Sequence, residues 1–68
     1  MTWFFCIVKD HSGEVSMTCG RVVVEAGDKD GAVREIAKVD VGEGCHKGRL
    51  VHGPYETKEI AENASTRT

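Results

Sequence analysis

Trp3-Phe4-Phe5-Cys6-Ile7-Val8 decides the fold of this chain. The stretch holds three of the four aromatic residues in the sequence. Aromatic and β-branched residues suit the pleated, half-buried surface of a strand. Side chains alternate along a strand, so Trp3, Phe5 and Ile7 share one face and Phe4, Cys6 and Val8 the other. Both faces are apolar. A small sheet needs only one buried face, so this strand calls for a second cover or offers one face to a partner.

The chain has 68 residues and a net charge of -2. A domain of this size buries only about 60% of the surface that its unfolded chain exposes. Little core remains to hold a strained or polar site. No stretch approaches the roughly 20 apolar residues of a membrane span. The N-terminal apolar run lacks a basic region before it and meets Lys9 and Asp10 at once, unlike a secretory signal. The three cysteines, Cys6, Cys19 and Cys45, are odd in number and widely spaced. They read as free thiols, and with no targeting segment this predicts a cytoplasmic protein.

Downstream of the first strand, Thr2 to Lys9, the run Asp10-His11-Ser12-Gly13-Glu14 reads as a hairpin turn. A second strand starts at Val15. Its apolar parity changes at Gly20, from Val15, Met17 and Cys19 to Val22, Val24 and Ala26. This predicts a bulge or a break near Gly20. Asp28 is a helix N-cap. At 100° per residue, Ala32, Ile36 and Val39 form one apolar stripe, which Val33 and Ala37 widen. Arg34, Glu35 and Lys38 lie opposite. Asp40 would interrupt the stripe, so the helix ends near Val39. Gly31 weakens its first turn by about 1 kcal/mol.

Residues 41–48 form a Gly-rich loop. A third strand covers Arg49 to His52, or starts as early as Cys45, and Gly53-Pro54 ends it. Thr57 caps a second helix with Ile60, Ala61 and Ala64 on one face. The fold class is α+β in the order β-β-α-β-α. The first helix returns the chain so that the third strand lies beside the first. The sheet has three to four antiparallel or mixed strands, with the helices packed on one face. Residues 1–64 make one domain and residues 65–68 a polar tail.

Arg49-Leu50-Val51-His52-Gly53-Pro54-Tyr55-Glu56-Thr57, with Ala61 beyond it, resembles the strand-turn-helix that closes peptidoglycan-binding SPOR domains. The resemblance covers about a quarter of the chain. The front half departs from that family, with a hairpin where a strand-helix unit belongs, so it implies local geometry and not peptidoglycan binding. In size and element order the chain is similar to small phage-encoded inhibitors, anti-CRISPR proteins among them.

Several chemistries fail on spacing. Zinc would draw on Cys6, Cys19, Cys45, His11, His46 and His52, but structural zinc sites bring ligands in close pairs such as C-x-x-C. Only Cys45-His46 is close, and neighbours in a strand point opposite ways. Cys45, beside His46 and Lys47, is the one candidate nucleophile. No Asp or Asn is evidently placed to orient His46. Gly42-Glu43-Gly44 follows a helix and lacks the third glycine of a dinucleotide fingerprint. A calcium loop around Gly31 would place Ala26 and Ala37 at ligand positions. The chain therefore reads as having no catalytic residue, no metal and no cofactor.

What is left is contact. The candidate partner-binding residues are Trp3, Phe5, Arg49 and Tyr55, and the partner is another protein, with a second copy of the chain as one option. The expected function is a non-catalytic cytoplasmic binding protein, such as a phage or mobile-element inhibitor of a host machine. A second reading is a nucleic-acid-binding domain in which Trp3 and Phe5 stack bases while Arg21, Lys47 and Arg49 meet phosphates. Interleaved acids and bases and the net negative charge weigh against it. A third is a thiol or zinc protein.

Overall fold

β1 (Thr2–Lys9) is the central strand of a four-stranded antiparallel sheet in a computed structural model that describes residues 1–9 and 20–67. β2 (Arg21–Ala26) pairs along one edge of β1, from Thr2↔Ala26 to Ile7↔Arg21. The other edge takes two short segments. β3 (His46–Lys47) pairs with Val8 and Lys9, and β4 (His52–Tyr55) pairs with Trp3 and Phe5. The expected return of the chain to the far side of the first strand is present. The turn at residues 10–14 and the first half of the second strand lie outside the described residues. Gly20, where the apolar parity changes, has φ +79°. Its carbonyl still accepts a bond from the Val8 N–H at 3.2 Å.

α1 (Lys29–Lys38) begins at Asp28, whose Oδ1 accepts the Gly31 N–H at 2.7 Å. Its buried residues are Ala32 and Ile36, and Val39 is its C-cap. Ile36 packs with Cys6, Val8 and Val22, and Ala32 packs with Phe4 and Ala26. α1 therefore covers the Phe4–Cys6–Val8 face. Val41, Cys45 and Val51 extend that cover. α2 (Lys58–Thr66) contacts β1, β2 and β4. Its Thr57 cap accepts the Ile60 N–H at 3.1 Å. Lys58, in its first turn, holds its ammonium 6.0 Å from the Trp3 ring centre. The helix runs through the first residues of the expected polar tail. Ser65 is buried and donates to the Glu62 carbonyl at 2.6 Å.

The third strand is displaced from its expected position. Arg49, Leu50 and Val51 lie outside the strands, and Gly53-Pro54 lies inside β4. The pairing explains how a proline fits. Two steps of β1, Trp3 to Phe5, face three steps of β4, His52 to Tyr55. That extra residue is a bulge, and among the described residues β4 pairs only with β1. Proline is tolerated in an edge strand at a bulge.

Lys47 closes the end of α1. The last carbonyls of a helix lack intrahelical partners and carry its negative dipole end. Lys47 Nζ donates to the carbonyls of Ile36 at 2.8 Å, Ala37 at 3.1 Å and Val39 at 2.8 Å. Lys47→Met keeps the aliphatic stem and removes all three bonds. A loss of about 2 kcal/mol is expected in urea unfolding, since hydrogen bonds to charged groups contribute about 1.5–3 kcal/mol. An unchanged midpoint would show that water replaces the ammonium at no cost.

Candidate binding groove

From Phe4 to Val8, β1 is enclosed on both sides. Phe4, Phe5, Cys6 and Val8 are at most 2% exposed, and Ile7 is 9% exposed. Phe5 stacks on His52 with ring centres 4.7 Å apart and on Tyr55 at 5.7 Å. These contacts follow from the β1–β4 register, which sets Phe5 opposite His52 and Trp3 opposite Tyr55. The second cover that the sequence demanded thus comes in part from the chain itself. Phe5 is core and cannot act as an exposed partner contact or a base-stacking platform. Trp3 and Tyr55 are half-buried at the β4 end of β1, and Arg49 is exposed.

The open surface lies at the other end of β1. An open groove of about 600 Å³ is lined by Ile7, Lys9, His46, Lys47, Gly48, Arg49, Leu50 and His52. Of the four candidate residues only Arg49 belongs to it. Lys9 follows Ile7 on the Trp3–Phe5–Ile7 face, and the register brings His46 opposite Lys9. The Gly48 N–H donates to the Ile7 carbonyl at 2.8 Å, which pins the loop to the strand just before Arg49. Leu50 is 72% exposed. The cationic lining includes Lys9, Lys47 and Arg49, and no acidic side chain is among the described residues that line it. The Lys47 ammonium is already bound to three α1 carbonyls, so Lys9 and Arg49 are the cations that face a ligand. The alternation that places Lys9 beside Ile7 was legible in the sequence, but the approach of the Arg49–Leu50 loop was not.

The cysteines depart from the expectation of three free thiols. Cys45 is disulfide-bonded, and Cys6 is free and buried. Cys45 is therefore not available as a nucleophile in this state. The inference from free thiols to the cytoplasm also loses its premise, since disulfides persist in oxidising compartments. No described helix is long and apolar enough to cross a membrane. Among the described residues, no group of three or more His, Cys, Asp or Glu side chains could hold a metal.

Burial pushes the Cys6 thiol above its ordinary value, while the nearby Lys47 charge and a hydrogen bond from the Gly48 backbone pull it partly back. The folded chain keeps this proton to higher pH than the unfolded chain. Stability is unaffected below the ordinary thiol value of about 8.5 and falls as pH rises from there toward the raised value. The urea midpoint should drop more between about pH 8 and about pH 10 for the parent than for Cys6→Ala. Parallel curves for the two proteins would mean that the thiol does not couple to folding.

The chain matches no protein-family model, no curated protein and no solved structure. The likeness of residues 49–57 to the end of SPOR domains therefore has no family match behind it. In the fold, the Arg49–Val51 part of that likeness is not a strand.

Proposed function

We propose that this protein is a non-catalytic binding module that docks on a partner protein through the groove between β1 and the β3–β4 loop. One observation carries the reading: an exposed Leu50 beside an exposed Arg49, on the rim of an open groove, in a chain whose first strand is enclosed from Phe4 to Val8. Apolar anchors and arginine are the residue types that interfaces concentrate. The groove volume falls within the range of about 300–1,000 Å³ found for ligand sites. The non-catalytic part of the reading is supported by the state of the thiols, one buried with its proton held and one in a disulfide. The size and layout suit an inhibitor of a larger machine, such as phage or mobile elements carry.

The nucleic-acid reading has less support. Phe5 is sealed by His52 and Tyr55, and the Trp3 ring lies near Lys58. A stacking surface needs open ring faces.

Site-specific photo-crosslinking in the source cell tests the docking reading. A photoreactive residue in place of Leu50 should give a discrete protein adduct. One in place of Arg34, on the exposed side of α1, should not. No adduct at position 50, or the same adducts at both positions, overturns it.

A further inference from the structure

Building on that docking reading, we infer that the groove takes an extended peptide segment in which acidic and aliphatic side chains alternate. The argument starts from what lines it. Lys9 and Arg49 supply positive charge, His46 and His52 supply polar ring edges, and Ile7 and Leu50 supply apolar surface. The chain as a whole is acidic, with a net charge of -2, yet no described acid lines this groove. The ion pairs formed among the described residues are elsewhere, Lys38 with Glu35 on α1 and Lys58 with Glu62 on α2. Lys9 and Arg49 join neither. A cationic lining of this kind selects a carboxylate-bearing partner by charge complementarity. Arginine in addition offers a planar fork that holds a carboxylate by two parallel bonds.

The apolar groups narrow the class further. A groove for a purely ionic ligand gains nothing from an exposed leucine. Leu50 beside Arg49 fits a ligand that offers an aliphatic side chain next to an acidic one. In an extended peptide, successive side chains point to opposite sides. One edge of such a segment can turn carboxylates toward Lys9 and Arg49 while the other lays an aliphatic group against Leu50. A nucleic acid is disfavoured because two available cations make few phosphate contacts, and of the two rings that line the groove His52 is already stacked on Phe5.

Fluorescence anisotropy with three labelled probes tests this. The first is a nine-residue peptide of alternating Glu and Leu, flanked by glycines for solubility. The second replaces each Glu by Gln, and the third is a nine-nucleotide single-stranded DNA. The acidic peptide should bind with a Kd below about 1 mM at low salt. The Gln peptide and the DNA should bind at least about tenfold more weakly. Arg49→Glu and Leu50→Ser should each weaken the acidic peptide about tenfold, with unfolding midpoints unchanged, whereas Arg34→Glu on α1 should leave it unaffected. Higher salt should weaken the peptide without abolishing it, since Leu50 contributes an uncharged contact.

No binding of the acidic peptide up to 1 mM overturns the inference, as does equal binding of the Gln peptide. An equal loss from Arg34→Glu overturns it by showing general charge attraction. DNA binding tighter than the peptide overturns it in favour of a nucleic-acid site. The crosslink at position 50 is independent of these probes. A discrete adduct there with no peptide binding removes the acidic-aliphatic ligand and leaves the docking reading standing. Its absence removes both.

Discussion

Phe5→Ala should cost about 4 kcal/mol of folding stability, within the range of about 3–5 kcal/mol for deleting a buried phenylalanine ring. The ring is 1% exposed and lies against both His52 and Tyr55. Its removal takes away apolar contact and leaves a cavity beside two rings that β4 pairing holds in place. Aromatic pairs add about 0.5–1.5 kcal/mol beyond area. Small domains have about 5–15 kcal/mol in total, so the variant should be partly unfolded at room temperature. Circular dichroism in a urea series measures this. A fully folded Phe5→Ala with a near-parental midpoint would mean that Phe5 is not enclosed, and would restore it as a contact residue. Phe5→Leu, which keeps most of the volume, should lose clearly less.

Gly53→Ala should lose about 3 kcal/mol for a different reason. A Cβ at this position would stand 2.7 Å from Phe4 Cδ2 and 2.9 Å from the Trp3 carbonyl oxygen. Both neighbours are fixed, one as a ring at 2% exposure and the other as backbone of the central strand. The residue also adopts φ +138°, a region that L side chains rarely enter. Overpacking of a dense core costs about 1–3 kcal/mol, and a forced backbone conformation adds about 1–3 kcal/mol. With both neighbours held, the β4 bulge has to give way. The loss should therefore appear with weakened Trp3–Tyr55 and Phe5–His52 contacts, seen as increased Trp3 solvent exposure in fluorescence. An alanine variant of parental stability would show that β4 can retreat from Phe4 without loosening the sheet.

These two residues mark how a sequence reading fails and succeeds. Phe5 was legible as a strand residue with a large apolar side chain. Two helices account for cover on one face of the strand, and the sequence leaves the cover of the other face open between the sheet itself and a partner. The register instead brings His52 and Tyr55 over it, and nothing in the local pattern around His52 announces a ring stack. Pro54 read as the end of a strand because its missing N–H is a local fact. Whether that loss matters depends on which edge of the strand faces a partner, and that is settled only when β4 pairs with β1.

The candidate site shows the same division. Arg49 could be named from sequence as an exposed cation near a turn. In the sequence Lys9 reads as the end of a strand and Leu50 as an interior strand residue. Lys47 reads as a phosphate contact only under the nucleic-acid alternative, and its ammonium instead closes α1 eleven, ten and eight residues upstream. Cys45 is the one candidate nucleophile by its neighbours in sequence, whereas its sulfur is covalently engaged.

By itself the sequence determined what acts over a few residues: the β-β-α-β-α order, the caps at Asp28 and Thr57, the end of α1 at Val39 and the apolar parity of β1 and of Arg21–Ala26. Such features depend on dihedral preference and on side chains reaching three or four positions along. Tertiary structure decided which face of β1 is closed, where the bulge falls, which lysine is occupied and where a groove opens. Those outcomes require segments distant in the chain to meet, and their energies arise only from that meeting.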